Sequence, residues 1–249
     1  MPVLKKLFKA TGKYIIRKRK RVCTAVIVAA GNASRMRGTD KIMAPLNGEP
    51  VICHTVRAFQ ECSFVQHIVI VTRDDLLDAI SKICVQQGFT KVSKVISGGS
   101  DRTESVLNGL SCVPEKTTLV AVHDGARPLV TQKVIDAAVS KAIQTGAAAP
   151  AVPVKDTVKI ASGSIVLDTP DRSSLFAVQT PQVFDYDLLR GALNYARDND
   201  ISVTDDCSAV EHIGMRIHLV EGGEDNIKIT TPLDLDIAAM ILSKRSLQI

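Results

Sequence analysis

The segment after the first apolar run of the chain has the residue types of a phosphate-binding loop. Six small residues, Ala29-Ala30-Gly31-Asn32-Ala33-Ser34, are followed by Arg35 and then by Lys41. Small side chains let backbone N–H groups approach a phosphate closely, and these two cations could offset the charge that develops on a departing pyrophosphate. The segment fits neither the P-loop nor the dinucleotide-binding pattern. It therefore predicts a triphosphate site of another kind, with a plain strand-to-helix connection as the alternative.

A second polar group follows a later apolar run. Asp124 comes directly after the run 119–123, and Arg127 lies three positions further on. A carboxylate at the end of a buried strand is costly unless it is paired. Mg²⁺ bridging a triphosphate could pair with Asp124, with Mn²⁺ as another divalent choice. An ion pair with Arg127 is the alternative.

The elements that position these residues alternate between β-branched runs and helical periods. Near-continuous apolar strands separated by helices predict a parallel sheet covered on both faces. We therefore expect a doubly wound, mostly parallel, Rossmann-like α/β fold. Ligands of such sheets bind beyond the carboxyl ends of the strands, where Gly31 and Asp124 fall. The predicted strands are 24–29, 67–72, 92–96 and 119–123, and the predicted helices are 51–62, 74–87, 101–112 and 131–145.

The regular alternation ends after Pro153. Residues 156–168 place Ser-Gly-Ser between two alternating segments, which predicts a β-hairpin. We assign a protruding β-arm to about residues 154–172. Exchange of such arms in a homodimer would cover it, and an ordinary surface hairpin is the alternative. Beyond it we predict helices at 186–198 and 204–213, a strand at 216–220 and a closing helix from Pro232.

The charge of the chain is unevenly distributed. The net charge is +5, but nine of the 31 Lys and Arg residues lie in residues 1–22, which leaves 22 against 26 acidic residues, or about −4, for the domain 23–249. This balance predicts no nucleic-acid partner for the domain. The basic extension 1–22 could lie on anionic lipid, although a solvated extension is the simpler interpretation. The six scattered cysteines indicate reduced thiols of a cytoplasmic protein.

Further motifs, taken with the loop, resemble the sugar-phosphate nucleotidyltransferases, and within them the 2-C-methyl-D-erythritol 4-phosphate cytidylyltransferase family. The resemblance runs from about residue 24 to about residue 239, and the order of the motifs makes chance agreement implausible. The motifs are GGSDRTESV at 98–106, HDGARP at 123–128, PVKDT at 153–157, DR at 171–172, QTPQVF at 179–184, TDD at 204–206, VEG at 220–222 and DNIKIT at 225–230.

This resemblance implies transfer of CMP from CTP to 2-C-methyl-D-erythritol 4-phosphate, with release of pyrophosphate and help from Mg²⁺. It implies a homodimer in which the arm crosses to the partner subunit, where Thr157 and Arg172 grip the acceptor phosphate. The catalytic residues would be Arg35, Lys41, Arg172 and Lys228. CTP would be bound by Ala29, Ala30, Gly31, Asn32, Gly98, Asp101, Ser105 and Asp124, with Asp124 also the metal ligand. The acceptor would be bound by Arg127, Thr157, Arg172, Thr180, Thr204, Asp225 and Lys228.

Several of these residues also have plain structural explanations. Asp101 is a suitable N-cap for the helix that follows it. Asp225 and Lys228 could form an exposed ion pair at helical spacing, and Arg172 could be a turn residue. His123 is interpreted as a hydrogen-bonded histidine at a strand end, because a phosphate nucleophile is already ionised and needs no base.

Two other functions compete with this one. A ribitol 5-phosphate cytidylyltransferase would share the CTP loop, although Arg172 and the cluster around Lys228 favour methylerythritol phosphate. A non-catalytic nucleotide-binding protein is the second alternative. A binding module would not need Arg35, Lys41, Asp124 and Lys228 together, so the sequence favours an enzyme.

Overall fold

The predicted strands form the centre of one sheet in the computed structural model, which describes residues 21–31 and 40–247. Strand β1 (Cys23–Ala29) pairs in parallel with β4 (Val65–Thr72) on one side and with β6 (Leu119–Asp124) on the other, and β5 (Val92–Ser97) pairs with β4. Most of their side chains are buried on both faces, as β-branched runs between two helical layers should be. The four predicted strands are confirmed.

Four more strands extend the sheet beyond β6. They are β7 (Ala147–Pro153), β10 (Phe176–Val178), β11 (Gln182–Asp185) and β12 (His218–Glu221). The order is β10-β7-β11-β6-β1-β4-β5, with β12 also paired to β7. Strands β10 and β11 run antiparallel to their neighbours, so the sheet is mainly parallel, as predicted, with antiparallel strands in one half.

Helices cover both faces of the sheet. Alternate residues of β1 point in opposite directions: Ile27 belongs to one apolar cluster and Val26 to the other, and both are fully buried. Each such side chain contributes roughly 1.5–3 kcal/mol on burial. The first cluster packs under α1 (Val51–Glu61), α2 (Leu77–Gln86), α4 (Gln132–Thr145) and α7 (Pro232–Ser246), and the second under α3 (Arg102–Ser111), α5 (Tyr186–Asp198) and α6 (Asp206–His212). The doubly wound fold is thus confirmed.

Two short hairpins lie outside the main sheet. Strands β2 (Pro45–Leu46) and β3 (Glu49–Pro50) precede α1. Strands β8 (Ile160–Ser162) and β9 (Ile165–Asp168) pair on either side of the predicted Ser-Gly-Ser turn, where Gly163 has a φ of +57°. Every residue of β8 and β9 is exposed. The function of this hairpin as an arm in a dimer stays a prediction.

One predicted helix begins later than expected. Residues 74–76 form a 3₁₀ turn (Asp74–Leu76), and α2 starts at Leu77. In the ranges 21–31 and 40–247, no helix is both long and apolar enough to cross a membrane. Residues 1–20 of the predicted basic extension lie outside the described residues.

Candidate active site

A cavity of about 430 Å³ opens at the carboxyl ends of β1, β4, β5 and β6. The location follows from the parallel arrangement, because these four strands all end at the same edge of the sheet. Nine of the residues predicted for the site line it: Ala29, Ala30, Gly31, Lys41, Gly98, Asp101, Ser105, Asp124 and Lys228. The structure therefore brings together residues that are up to about 200 positions apart in the sequence.

Two glycines, Gly98 and Gly99, follow β5 and form a wall of the cavity that is backbone without side chains, the glycine wall. A Cβ on Gly98 would lie 2.5 Å from the Cβ of Ala30 and 2.9 Å from Oγ of Ser105, so only glycine fits there. The Gly98 N–H donates to the Thr72 carbonyl (2.7 Å), which holds the loop against β4. The Ser105 hydroxyl accepts from the Gly99 N–H (3.0 Å) and donates to the Asp101 carbonyl (2.7 Å). A flat ligand such as a nucleobase could approach this surface closely.

The N-terminus of α3 also faces the cavity. Asp101 is its N-cap, since its carboxylate accepts from the Glu104 N–H at 2.8 Å. The capping interpretation of Asp101 is thereby confirmed. A helix N-terminus favours an anionic ligand, so capping and nucleotide binding are compatible in this residue.

Asp124 is the central charge of the cavity. It is buried, and its Oδ2 lies 2.9 Å from Nζ of Lys228 and 3.3 Å from Nε of Arg127. Burial by itself raises the pKa of this carboxyl, but Lys228, Arg102 and Arg127 together lower the pKa well below its usual range. Asp124 is therefore ionised at neutral pH. The ion pair with Arg127, given above as the alternative to a metal, is present.

Lys228 reaches Asp124 because the segment 226–229 is hydrogen-bonded to the residues that follow β6. Arg127 donates from Nη1 to the Asn226 carbonyl (2.7 Å), and the Ile229 N–H donates to the Ala126 carbonyl (2.8 Å). This places Lys228 beside Asp124, with 40% of the Lys228 side chain exposed. The alternative in which Lys228 pairs with Asp225 is wrong, because Lys228 pairs with Asp124.

His123 and Thr180 form a buried layer behind Asp124. The Asp124 N–H donates to the Thr180 hydroxyl (3.1 Å), which lies 2.9 Å from Nδ1 of His123, and Nε2 of His123 lies 3.2 Å from the Arg127 carbonyl. Burial lowers the pKa of His123 to about 4. The ring is therefore neutral at pH 7, with Nε2–H donating to the carbonyl and Nδ1 accepting from Thr180. Thr180, expected to contact substrate, points its hydroxyl to these interior groups instead.

Three charged residues that line the cavity were missed as site residues by the sequence reasoning. Arg73 and Asp74 directly follow β4, and Arg102 begins α3. Nη2 of Arg102 lies 2.7 Å from Oδ2 of Asp206, which is fully buried. The strand-end rule that selected Asp124 could also have selected Arg73 and Asp74.

The other predicted residues lie away from this cavity or outside the described part of the chain. Thr157 and Arg172 are exposed, and Nη1 of Arg172 donates to the Lys155 carbonyl (2.8 Å). Asp225 pairs with Arg245. Thr204 is exposed before α6, where its N–H donates to Ser208 (3.1 Å). Asn32, Arg35 and the rest of the segment 32–39 lie outside the described residues.

The oxygen ligands of the cavity suit Mg²⁺ only in combination with phosphate. No group of three or more His, Cys, Asp and Glu side chains suited to a metal ion occurs in the ranges 21–31 and 40–247. Mg²⁺ is commonly held by one or two carboxylates together with substrate phosphates and water. The buried, ionised Asp124 fits that pattern as a single protein ligand.

Comparison with known proteins agrees with the geometry. The family model of 2-C-methyl-D-erythritol 4-phosphate cytidylyltransferase (IspD) matches residues 23–244. The protein of that name from Bacillus velezensis is 44% identical over 223 residues, covering 89% of this chain and 96% of that protein. The one from Alkaliphilus oremlandii is 40% identical over 225 residues, covering 89% and 95%. The crystal structure of 4-diphosphocytidyl-2C-methyl-D-erythritol synthase from Anaerococcus prevotii matches with a TM-score of 0.80 at 28% identity, covering 90% of this chain and 96% of that one. The chain therefore belongs to the 2-C-methyl-D-erythritol 4-phosphate cytidylyltransferase family.

Proposed function

We propose that the chain transfers CMP from CTP to 2-C-methyl-D-erythritol 4-phosphate, giving 4-diphosphocytidyl-2-C-methyl-D-erythritol and pyrophosphate in the non-mevalonate synthesis of isoprenoid precursors. The observation that carries the proposal is the meeting of Lys41, Asp124 and Lys228 in one cavity beside the glycine wall at Gly98. Membership of the family supplies the identity of the two substrates.

The reaction is an in-line displacement at phosphorus. An oxygen of the acceptor phosphate attacks the α-phosphorus of CTP, the bond between the α-phosphorus and the α–β bridging oxygen breaks, and pyrophosphate leaves with that oxygen. The nucleophile is already ionised, so no base is needed, and catalysis consists of positioning and countercharge. The neutral His123 fits this scheme, because both of its ring nitrogens are hydrogen-bonded and the acceptor phosphate has no proton that a base must remove.

Each cation has its own part in this scheme. Lys41, with Arg35, stabilises the charge that develops on the departing pyrophosphate. Lys228 is far more exposed than its partner Asp124, with 40% against 10% of the side chain exposed. Its ammonium group can therefore exchange the carboxylate for the incoming acceptor phosphate. The backbone at Ala29, Ala30 and Gly31 and the wall at 98–105 hold the nucleotide.

We assign the divalent ion to Asp124. When bound there with CTP, Mg²⁺ would neutralise phosphate charge and polarise the α-phosphoryl group, and Mn²⁺ offers the same oxygen preference. Arg127 and Lys228 keep Asp124 ionised in its absence. This accounts for a charged carboxylate in a buried position before substrate arrives.

We also propose a homodimer joined through the β8–β9 hairpin. Apolar side chains of the hairpin, including Ile165 (69% exposed) and Leu167 (65%), are unusually accessible. Thr157 and Arg172, at the ends of this region, do not line the cavity of their own chain. The exposed apolar side chains fit a contact with a partner subunit. The position of Thr157 and Arg172 fits residues that bind the acceptor in the site of that partner. A cytoplasmic location is proposed from the composition and scatter of the cysteines.

The test is pyrophosphate release by the purified chain with CTP, Mg²⁺ and a choice of acceptor. We expect turnover with 2-C-methyl-D-erythritol 4-phosphate and at most weak turnover with ribitol 5-phosphate. A strong preference for ribitol 5-phosphate would replace the acceptor in the proposal. Tight CTP binding without turnover on either acceptor would favour a nucleotide-binding protein.

A further inference from the structure

The turn that carries Lys41 is closed by the residue before it. The Asp40 carboxylate accepts hydrogen bonds through Oδ1 from the backbone N–H groups of Ile42 (2.7 Å) and Met43 (3.2 Å). An aspartate that bonds the backbone two and three residues ahead holds a turn in one conformation. The backbone of Lys41 lies inside this turn, so its position depends on the position of the Asp40 carboxylate.

The Asp40 carboxylate is itself held by an arginine that follows the neighbouring strand β4. Its Oδ2 lies 2.6 Å from Nη2 of Arg73, the first residue after β4. Arg73 is itself oriented by Asp75, to which Nε and Nη2 each donate at 3.0 Å. The carboxylates of Asp75 and then Asp40 raise the pKa of Arg73 above its ordinary value, because both stabilise the charged guanidinium group. Both side chains of the Arg73–Asp40 pair are less than a quarter exposed, which favours a well-ordered ion pair over a solvated one.

The chain after Lys41 is fixed to α1. Ile42 is buried in the core, and its carbonyl accepts from the Ile52 N–H at 3.0 Å, while the Ala44 carbonyl accepts from the Val51 N–H at 3.0 Å. These N–H groups belong to the first turn of α1, whose N-cap Pro50 makes no side-chain hydrogen bond. The carbonyls satisfy donors that the helix cannot satisfy itself. The Lys41 turn is thus held by α1 on one side and by β4 on the other.

We propose that Asp40 and Arg73 are positioning residues for Lys41: their ion pair fixes the turn so that the Lys41 ammonium group is in place in the cavity before CTP binds. This inference rests on the proposed function, in which Lys41 stabilises the departing pyrophosphate. A cation fixed in advance needs no reorganisation during the reaction. A displacement of about 1 Å at such a group can lower the rate by roughly 100-fold.

The experiment measures kcat and KM for Arg73→Ala and Asp40→Asn, each made in the wild-type and in the Lys41→Ala background. In the wild-type background we expect kcat to fall by at least ~10-fold and KM for CTP to change by less than ~3-fold. In the Lys41→Ala background the same substitutions should lower kcat by less than ~2-fold, because residues that act through one group are not additive. Arg73→Lys should restore part of kcat, since it returns a cation to Asp40.

Arg57→Ala is the matched control. Arg57 forms an ion pair of similar kind with Glu49 (2.7 Å), about one third exposed on each side, and does not line the cavity. Its kcat should equal that of the wild type. Thermal unfolding of every variant shows whether the fold is kept.

Two kinetic results would overturn the inference: an unchanged kcat in Arg73→Ala and Asp40→Asn, or an equal loss in both backgrounds, which would mean that they do not act through Lys41. Absence of turnover in the wild type would instead contradict the proposed function. In that case crystal structures of the wild type and Arg73→Ala decide the inference. We expect the Lys41 turn to move by about 1 Å or more, and a turn in the wild-type position would overturn it.

Discussion

Gly98 provides a test in which the structure sets the size of the perturbation. The added Cβ of Gly98→Ala would lie 2.5 Å from the Cβ of Ala30 and 2.9 Å from Oγ of Ser105, whereas carbon atoms in contact are normally about 3.5–4.0 Å apart. The Ala30 Cβ is fixed to its backbone, so the end of β1 and the end of β5 must separate by about 1 Å. These two segments are the walls between which CTP is proposed to bind.

The expected result is a fall of roughly 100-fold in kcat/KM for CTP, the scale of a 1 Å displacement at a reacting site. It is measured by steady-state pyrophosphate release with CTP varied at saturating acceptor. Thermal unfolding of the same variant should show that the fold is retained.

Two other glycines separate the effect on the site from the effect on the fold. A Cβ on Gly109 would lie 2.5 Å from Cγ1 of Val26 in the core, so Gly109→Ala should lower the unfolding temperature with little change in kcat/KM. A Cβ on Gly191 in α5 would meet no neighbouring atom within 4 Å, so Gly191→Ala should leave activity unchanged and stabilise the helix by up to about 1 kcal/mol. A Gly98→Ala enzyme with wild-type kcat/KM would refute the reasoning about the glycine wall.

Other perturbations give further expected outcomes. Between pH 6.5 and about 4, His123 binds fewer protons in the folded state than in the unfolded state. The free energy of unfolding should therefore decrease as the pH is lowered through that window, by at most about 3 kcal/mol. In urea unfolding, His123→Gln should show a smaller dependence on pH, and an unchanged dependence would exclude His123 as its source. Lys228→Met should lower turnover by at least ~100-fold without unfolding the protein, and a near-normal rate would remove Lys228 from the mechanism. EDTA should abolish pyrophosphate release and excess Mg²⁺ restore it, while full activity in EDTA would contradict a divalent ion at Asp124. Replacing Ile165 and Leu167 together by Asp should convert a dimer into a monomer in sedimentation velocity, and an unchanged oligomer would place the contact elsewhere.

The central strands and the position of the site could be predicted from the sequence because their signals are local. A run such as that of β1 (Cys23–Ala29) is apolar and β-branched throughout, which marks a strand buried on both faces. Strand β7 was missed because it begins with Ala147, Ala148 and Ala149, and alanine carries little strand propensity. All three residues are buried. The direction of β11 depends on its pairing with β6 and β7, which local pattern does not encode.

The detailed contacts of the site could not be predicted in the same way. The sequence placed Asp124 and Lys228 near one ligand, but their direct pairing depends on how the segment 226–229 crosses the end of β6. The inward direction of the Thr180 hydroxyl likewise depends on its neighbours in three dimensions. Arg73 lies between a predicted strand and a predicted helix and was not considered; its position in the cavity follows from the parallel order of β1 and β4.

The central claim is that one cavity holds the triphosphate of CTP and an acceptor phosphate in line with it. A crystal structure with a non-hydrolysable CTP analogue, Mg²⁺ and 2-C-methyl-D-erythritol 4-phosphate tests it most directly. We predict triphosphate oxygens about 3 Å from Nζ of Lys41, and an oxygen of the acceptor phosphate about 3 Å from Nζ of Lys228. A nucleotide bound elsewhere, or Lys41 and Lys228 directed to ligands on separate faces, would contradict the account.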